Sequence, residues 1–127
     1  MPEPRRVLII DDEDSLREIF RRFMEKEGFI VEEAEDGSKG LAKIEDFNPD
    51  IVFLDLMMPQ LSGFEVIHRL QGKGLVKIPV VIITGYSDEA NEQIIRAEPN
   101  VVELLKKPIR FGELVDLIDR LLKKNIP

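Results

Sequence analysis

Short apolar runs rich in β-branched residues recur along this chain, and they constrain its fold more than any other feature. Three of them, residues 7–10, 51–54 and 80–83, contain only Val, Ile, Leu and Phe. A strand with no polar face has to be covered on both faces, as the strands of parallel sheets are. Between the runs, apolar residues recur at helical spacing, most clearly from Leu114 to Leu122. Strands that alternate with helices in this way predict an α/β fold whose parallel sheet is covered by helices on both faces.

Turn and cap signals divide the chain into five strands and five helices. The predicted strands are residues 6–10, 29–31, 50–56, 78–84 and 101–105. The predicted helices are residues 14–27 (or from 15), 41–47, 64–72, 88–97 and 114–124, and residues 32–37 are predicted to form a turn. The fourth helix has a thin apolar face, because it carries little more than Ile94, Ile95 and a few alanines.

Size and composition exclude several classes of function. The 127 residues suit one domain covering residues 1–127, and a net charge of −7 with no cluster of basic and aromatic residues argues against direct binding of nucleic acid. No apolar run is long enough for a membrane span or a signal-peptide core, so we expect a cytoplasmic protein. With no Cys and a single His, any bound metal has to be held by oxygen ligands.

Polar side chains follow four of the predicted strands. Asp11 and Asp12 follow the first strand, Asp55 ends the third run, Thr84 ends the fourth and Lys107 follows the fifth. Ligands of open α/β sheets bind at the carboxyl ends of the strands, so these side chains are expected to meet. Crowded carboxylates repel unless one is protonated or a cation lies among them, and Mg²⁺ is the hard ion suited to such oxygens. A lysine and a hydroxyl beside them would complete a site for phosphoryl transfer onto Asp55.

These residues carry a resemblance to a known family. An acidic pair, an Asp followed by Met58-Pro59 and Gly63, a Thr, and a Lys-Pro pair occur in the order and at the spacing of two-component receiver domains. The resemblance covers essentially the whole chain. It implies a flavodoxin-like, doubly wound (βα)₅ three-layer sandwich with five parallel strands in the order 2-1-3-4-5. Whether the chain stands alone or belongs to a longer regulator is left open.

The resemblance also implies a role for each site residue. Asp55 would be phosphorylated by a sensor histidine kinase or a histidine phosphotransfer protein. Asp11, Asp12, Asp55 and the backbone carbonyl of Met57 would hold Mg²⁺ (or Mn²⁺), and Thr84 and Lys107 would hold the phosphoryl oxygens. The fourth helix, fifth strand and fifth helix would then switch the binding of a downstream protein effector, and a phosphorylation-dependent homodimer is left open. Such a domain catalyses only its own phosphorylation and dephosphorylation and is not an enzyme in the ordinary sense.

One position departs from the family pattern. Three residues before the family's lysine there is often a Tyr or Phe whose rotamer follows phosphorylation, and here that residue is Leu104. Leucine has no ring to move between buried and exposed positions. Tyr86, two residues after Thr84, is the candidate to cover the same surface or to tune hydrolysis of the acyl phosphate.

Two other functions compete with the phosphorylated switch. A Mg²⁺-dependent phosphatase or phosphotransferase with an Asp nucleophile, of the haloacid-dehalogenase type, has a second Asp two residues after the nucleophile. Met57 occupies that position here. A pseudo-receiver, a binding module without phosphorylation, is disfavoured because none of the acidic or lysine positions is missing.

Overall fold

Five parallel strands form one sheet in the order β2-β1-β3-β4-β5. The computed structural model describes residues 5–85 and 89–123. The strands are β1 (Arg6–Ile10), β2 (Ile30–Ala34), β3 (Ile51–Asp55), β4 (Val80–Thr84) and β5 (Val101–Lys106). The α/β class and the strand order implied by the family resemblance are therefore confirmed.

Five helices cover the two faces of the sheet. They are α1 (Asp14–Lys26), α2 (Gly37–Phe47), α3 (Gly63–Gly72), α4 (Glu89–Arg96) and α5 (Phe111–Lys123). Alternate residues of a strand point to opposite faces, so Leu8 and Ile10 pack with α2, α3 and α4, whereas Val7 and Ile9 pack with α1 and α5. Both apolar clusters are buried, and the result is the predicted three-layer sandwich.

The boundaries of several elements differ from those predicted, most informatively those of β2 and α2. β2 continues through Glu32 and Glu33, which were predicted to form a turn. Because β2 is an edge strand, these glutamates can reach the surface, where Lys43 lies 2.5 Å from the carboxylate of Glu32. α2 begins at Gly37, four residues before its apolar stripe, because the side chain of Asp36 accepts a 2.8 Å hydrogen bond from the Lys39 amide and caps the helix.

Two further features complete the fold. The peptide bond between Lys107 and Pro108 is cis. None of the helices in the described ranges is both long and apolar enough to cross a membrane.

The loop after β3 packs tightly against the strand end that carries Asp55. A Cβ atom at Gly63 would lie 2.7 Å from the carbonyl oxygen of Asp55 and 2.8 Å from Cα of Leu56. Both atoms belong to the backbone and cannot move aside as a flexible side chain could. The first residue of α3 therefore has to be glycine for the loop to close on β3.

We predict that Gly63→Ala lowers the free energy of unfolding by about 1–3 kcal/mol, because the added methyl group overpacks the strand end. Gly72→Ala is the matched control in the same helix, since nothing lies within 4 Å of its Cβ position. Its stability should be unchanged or raised by up to about 1 kcal/mol. Denaturant unfolding measures both, and equal stabilities of the two variants would contradict the close approach at Gly63.

Candidate functional site

The strand register brings the predicted site residues to one edge of the sheet. Ile10 of β1 is level with Leu54 of β3, so Asp11 and Asp55 follow at the same height. Thr84 ends the neighbouring strand β4, and Lys107 follows β5. The apolar strands thus deliver these polar side chains to one end of the molecule, where parallel strands present their carboxyl ends.

Three aspartates form a cluster at this edge. Asp11, Asp12 and Asp55 each offer a carboxylate oxygen, and these oxygens lie within 4.8 Å of one another. Asp11 is fully buried, Asp55 is 3% exposed and Asp12 is exposed. Lys107 Nζ lies 3.1 Å from Asp11 Oδ2 and 3.6 Å from Asp55 Oδ2. One lysine therefore pairs with both buried aspartates of the cluster.

Main-chain amides orient the two buried carboxylates. The Glu13 amide donates a 2.8 Å hydrogen bond to Asp11 Oδ1, and the Met57 amide donates one of 3.1 Å to Asp55 Oδ1. Each buried aspartate thus keeps one oxygen, Oδ2, directed towards the ammonium group of Lys107. Asp11 Oδ2 is buried and has no hydrogen bond of good geometry, so its contact with Lys107 is an ion pair only.

Burial and like charge make ionisation of these carboxylates costly. Burial first, and the charge of Asp11 second, raise the pKa of Asp55 to about 6, against the opposing effects of the Met57 hydrogen bond and Lys107. Burial also raises the pKa of Asp11. For Lys107, burial is the largest single influence and acts to lower the pKa, but the carboxylates of Asp11, Asp55 and Glu13 together outweigh it and raise the pKa.

The donor set fits a hard divalent cation. All three clustered ligands are oxygen atoms, and two of them come from buried carboxylates whose charge is only partly compensated. An incompletely paired oxygen such as Asp11 Oδ2 gains most from a cation nearby. Mg²⁺ is bound in proteins through a small number of such carboxylates.

An open cleft adjoins the cluster. It is lined by Asp12, Glu13, Asp55, Met57, Gly85 and Lys107. The side chain of Met57 is 63% exposed, whereas Thr84 is fully buried at the end of β4 and its neighbour Gly85 lines the cleft. The cleft therefore gives a ligand access to Asp55 past Gly85 and the exposed side chain of Met57.

Of Leu104 and Tyr86, the two residues considered for the switch, the structure describes only Leu104. Leu104 lies on β5 opposite Ile82 and is only 6% exposed, so it is part of the apolar core shared with α4. Tyr86 lies outside the described residues.

Sequence patterns did not single out two residues that belong to the site or lie directly behind it. Glu13 lines the cleft, and its Oε2 lies 3.8 Å from Lys107 Nζ. The sequence feature that could have identified Glu13 is its place in the acidic run after β1. Arg17 is buried behind the same turn and donates a 2.6 Å hydrogen bond to the main-chain carbonyl of Asp11. The sequence feature that could have identified Arg17 is its place on the buried stripe of α1, three residues before Phe20 and seven before Met24.

A doubly wound sheet with an acidic cluster at its carboxyl edge defines a class of flavodoxin-like proteins, and comparisons with known proteins identify the family. The chain matches the family model described as the response regulator receiver domain over residues 7–119. It therefore belongs to the response regulator receiver domain family.

Named relatives and solved structures agree with this family. The response regulator MprA of Mycolicibacterium vanbaalenii is 35% identical over 124 residues, which cover 98% of this chain and 53% of that protein. MprA of Mycobacterium tuberculosis strain H37Rv is 34% identical over 122 residues, or 96% of this chain and 52% of that protein. The chain thus spans about half the length of the curated relatives it matches.

Similar folds occur among solved receiver structures. The chemotaxis protein CheY4 of Vibrio cholerae is 27% identical with a TM-score of 0.85, covering 94% of this chain and 99% of that one. The receiver domain of Francisella response regulator 1452 is 25% identical with a TM-score of 0.86, covering 96% and 99%.

We predict that Asp55→Asn stabilises the metal-free protein at pH 7 by about 1–3 kcal/mol, because Asn removes a charge that is costly to bury here. The folded-state pKa of Asp55, about 6, lies above its ordinary value of 3.8. The native state therefore binds the proton more tightly, and this stabilisation is lost as pH rises from about 4 to about 6. The gain from Asn should accordingly disappear below pH of about 4.

Unfolding in urea with a metal chelator, repeated across this pH range, measures the effect. Asp46→Asn is the control, because Asp46 is exposed and should change stability by less than about 0.5 kcal/mol. Loss of stability in Asp55→Asn at pH 7 would show that repulsion and burial do not dominate at Asp55.

Proposed function

We propose that Asp55 accepts a phosphoryl group from a phosphohistidine of a partner kinase or phosphotransfer protein, and that this domain works as a Mg²⁺-dependent switch. The observation that carries the proposal is the arrangement at the sheet edge. A buried carboxylate with a raised pKa opens onto a cleft and is flanked by Asp11, Asp12 and Lys107. The carboxylates of Asp11 and Asp12 could hold a cation, and that cation together with Lys107 would supply the positive charge needed to receive a phosphoryl anion next to a nucleophile.

The chemistry begins with an ionised Asp55. Its pKa of about 6 leaves most molecules ionised at pH 7. A carboxylate oxygen attacks phosphorus, the bond between phosphorus and the imidazole nitrogen of the donor breaks, and its electron pair stays on that nitrogen. The product is an acyl phosphate on Asp55. The hydrogen bond from the Met57 amide holds Oδ1, so Oδ2, on the Lys107 side, is the oxygen we assign as nucleophile.

The carboxylates of Asp11, Asp12 and Asp55, with the main-chain carbonyl of Met57, are the groups that would hold Mg²⁺, with Mn²⁺ as the alternative ion. The bound cation would neutralise charge that collects on the phosphoryl oxygens. The clustered oxygens and the incompletely paired Asp11 Oδ2 support this assignment.

Lys107 and Thr84 would hold the phosphoryl oxygens. Lys107 already lies within ion-pair distance of Asp55, so its ammonium group can exchange its ion pair with the carboxylate for one with the phosphoryl group. Thr84, whose side chain carries the hydroxyl, is the last residue of the adjacent strand β4. Gly85 leaves space beside it, since a Cβ atom at Gly85 would meet only Lys107 Cδ, at 3.8 Å.

The output surface is assigned to α4, β5 and α5. Phosphorylation raises the charge on Asp55 from −1 to about −2, which is enough to shift a nearby helix between two positions. Ile94 of α4 and Val102 of β5 are 57% and 42% exposed, and they offer apolar contacts to a downstream protein effector or to a second copy of the domain. We place this activity in the cytoplasm and in one domain formed by residues 1–127.

Incubation with Mg²⁺ and acetyl phosphate, followed by intact-protein mass spectrometry, tests the proposal. We expect wild-type protein to gain one phosphoryl group and Asp55→Asn to gain none, because the nucleophile is absent. Asp46→Asn, which changes an exposed aspartate of α2, should be labelled like wild type. The proposal would be wrong if wild type were labelled neither by acetyl phosphate nor by any of a panel of purified phosphohistidine donors.

The metal assignment makes a separate prediction. Mg²⁺ at ten times its dissociation constant should raise the free energy of unfolding of the wild type by about 1.4 kcal/mol, since it binds the folded state only. At the same concentration Asp11→Asn should gain clearly less, because one buried ligand has lost its charge. Thermal unfolding with and without Mg²⁺ measures this, and equal gains in both proteins would place the ion elsewhere.

A further inference from the structure

Arg17 lies behind the turn that carries Asp11 and Asp12. Among the described residues, no Lys or Arg is more deeply buried. The residue is 8% exposed and shares the buried stripe of α1 with Phe20 and Met24. A buried guanidinium is costly unless its donors are matched, and here three acceptors receive them. Nη1 donates to the main-chain carbonyl of Asp11 at 2.6 Å, Nε donates to Glu33 Oε1 at 3.0 Å, and Nη2 donates to the carboxylate of Asp14.

The bond to Asp11 acts on both metal-site aspartates of the turn. The carbonyl of Asp11 belongs to the planar peptide unit that joins Asp11 to Asp12. Holding that oxygen fixes the orientation of the plane, and with it the directions in which the two side chains leave the backbone. On the strand side, the Asp11 amide donates a 3.1 Å hydrogen bond to the carbonyl of Ala34 in β2. Arg17 and β2 therefore hold the main chain of Asp11 at both ends.

We infer that Arg17 is a positioning residue for the metal site, which it serves by fixing the Asp11–Asp12 peptide from behind without touching the ion. The inference rests on the proposed function, because it assumes that Asp11 and Asp12 bind Mg²⁺. Repulsion between clustered carboxylates favours a splayed turn, and the guanidinium opposes that motion. Partners that orient metal ligands commonly contribute about 10–100-fold to metal affinity.

Arg21, one turn further along α1, provides a matched control. It also pairs with Glu33, at 2.8 Å, and with Glu25 at 3.5 Å. No contact joins it to Asp11 among the hydrogen bonds and ion pairs recorded for the described residues. Arg21→Met removes the same charge and a Glu33 ion pair, but it leaves the bond to the Asp11 carbonyl intact.

The test is calorimetric titration of Mg²⁺ into wild type, Arg17→Met, Arg17→Lys and Arg21→Met, at a temperature where circular dichroism shows each to be folded. We expect Arg17→Met to bind about tenfold more weakly and Arg21→Met to bind like wild type. Arg17→Lys keeps the charge but lacks the planar fork, so it should also lose affinity. If Arg17→Met does not fold, Arg17→Lys alone decides.

Hydrogen exchange of the metal-free protein gives a readout that a loss of general stability would not reproduce. The Glu13 amide is bonded to Asp11 Oδ1, so its exchange reports the geometry of the turn. It should accelerate in Arg17→Met, beyond the change at core amides of β3, and stay unchanged in Arg21→Met. Unchanged Mg²⁺ affinity in a folded Arg17 variant, or an equal loss in Arg21→Met, would overturn the inference. Failure of wild type itself to bind Mg²⁺ would instead overturn the proposed function.

Discussion

Crowding of like charge at the carboxyl edge of the sheet is the constraint on which the rest of this structure depends. Parallel strands bring their ends to one edge, so Asp11 and Asp55 are held close together whatever their charges. Lys107 offsets part of the repulsion, yet burial first and the charge of Asp11 second still raise the pKa of Asp55 to about 6. The free energy of the folded state is therefore tied to what occupies the site, whether a proton, a cation or a phosphoryl group.

The apolar core stabilises the fold against this repulsion. Every residue of β3 and β4 is buried, and the two clusters on either side of the sheet interlock through alternate side chains of the same strands. Such close-packed interiors do not deform continuously, so they keep the strand ends in place against the repulsion between them. The same rigidity explains why the loop after β3 closes on a glycine, with Gly63 directly against the backbone of Asp55.

The sequence predicted whatever depends on local pattern and missed what depends on tertiary partners. Residues 51–54 could be read as a buried strand because they have no polar face, and Asp55 as a site because it ends that strand. The extension of β2 through Glu33 could not be predicted from the sequence, because the charge of Glu33 is matched by Arg17 and Arg21 of α1. For the same reason the position of Arg17 behind Asp11 emerged only from the folded chain.

Leu104 determines what kind of switch this fold can support. Its side chain is buried in the apolar cluster that also contains Ile95, the one fully buried residue among the described side chains of α4. Leucine has no aromatic ring, so a signal cannot leave this position by the turning of a ring. Under the proposed function, the signal would instead pass by a shift of α4 over β5. Among the described residues, α4 is joined to β5 by the buried side chain of Ile95 and by the ion pairs of Lys106 with Glu92 at 3.5 Å and of Arg96 with Glu103 at 3.3 Å. Lys106 directly precedes Lys107, so the strand that leads to the site lysine also contacts α4.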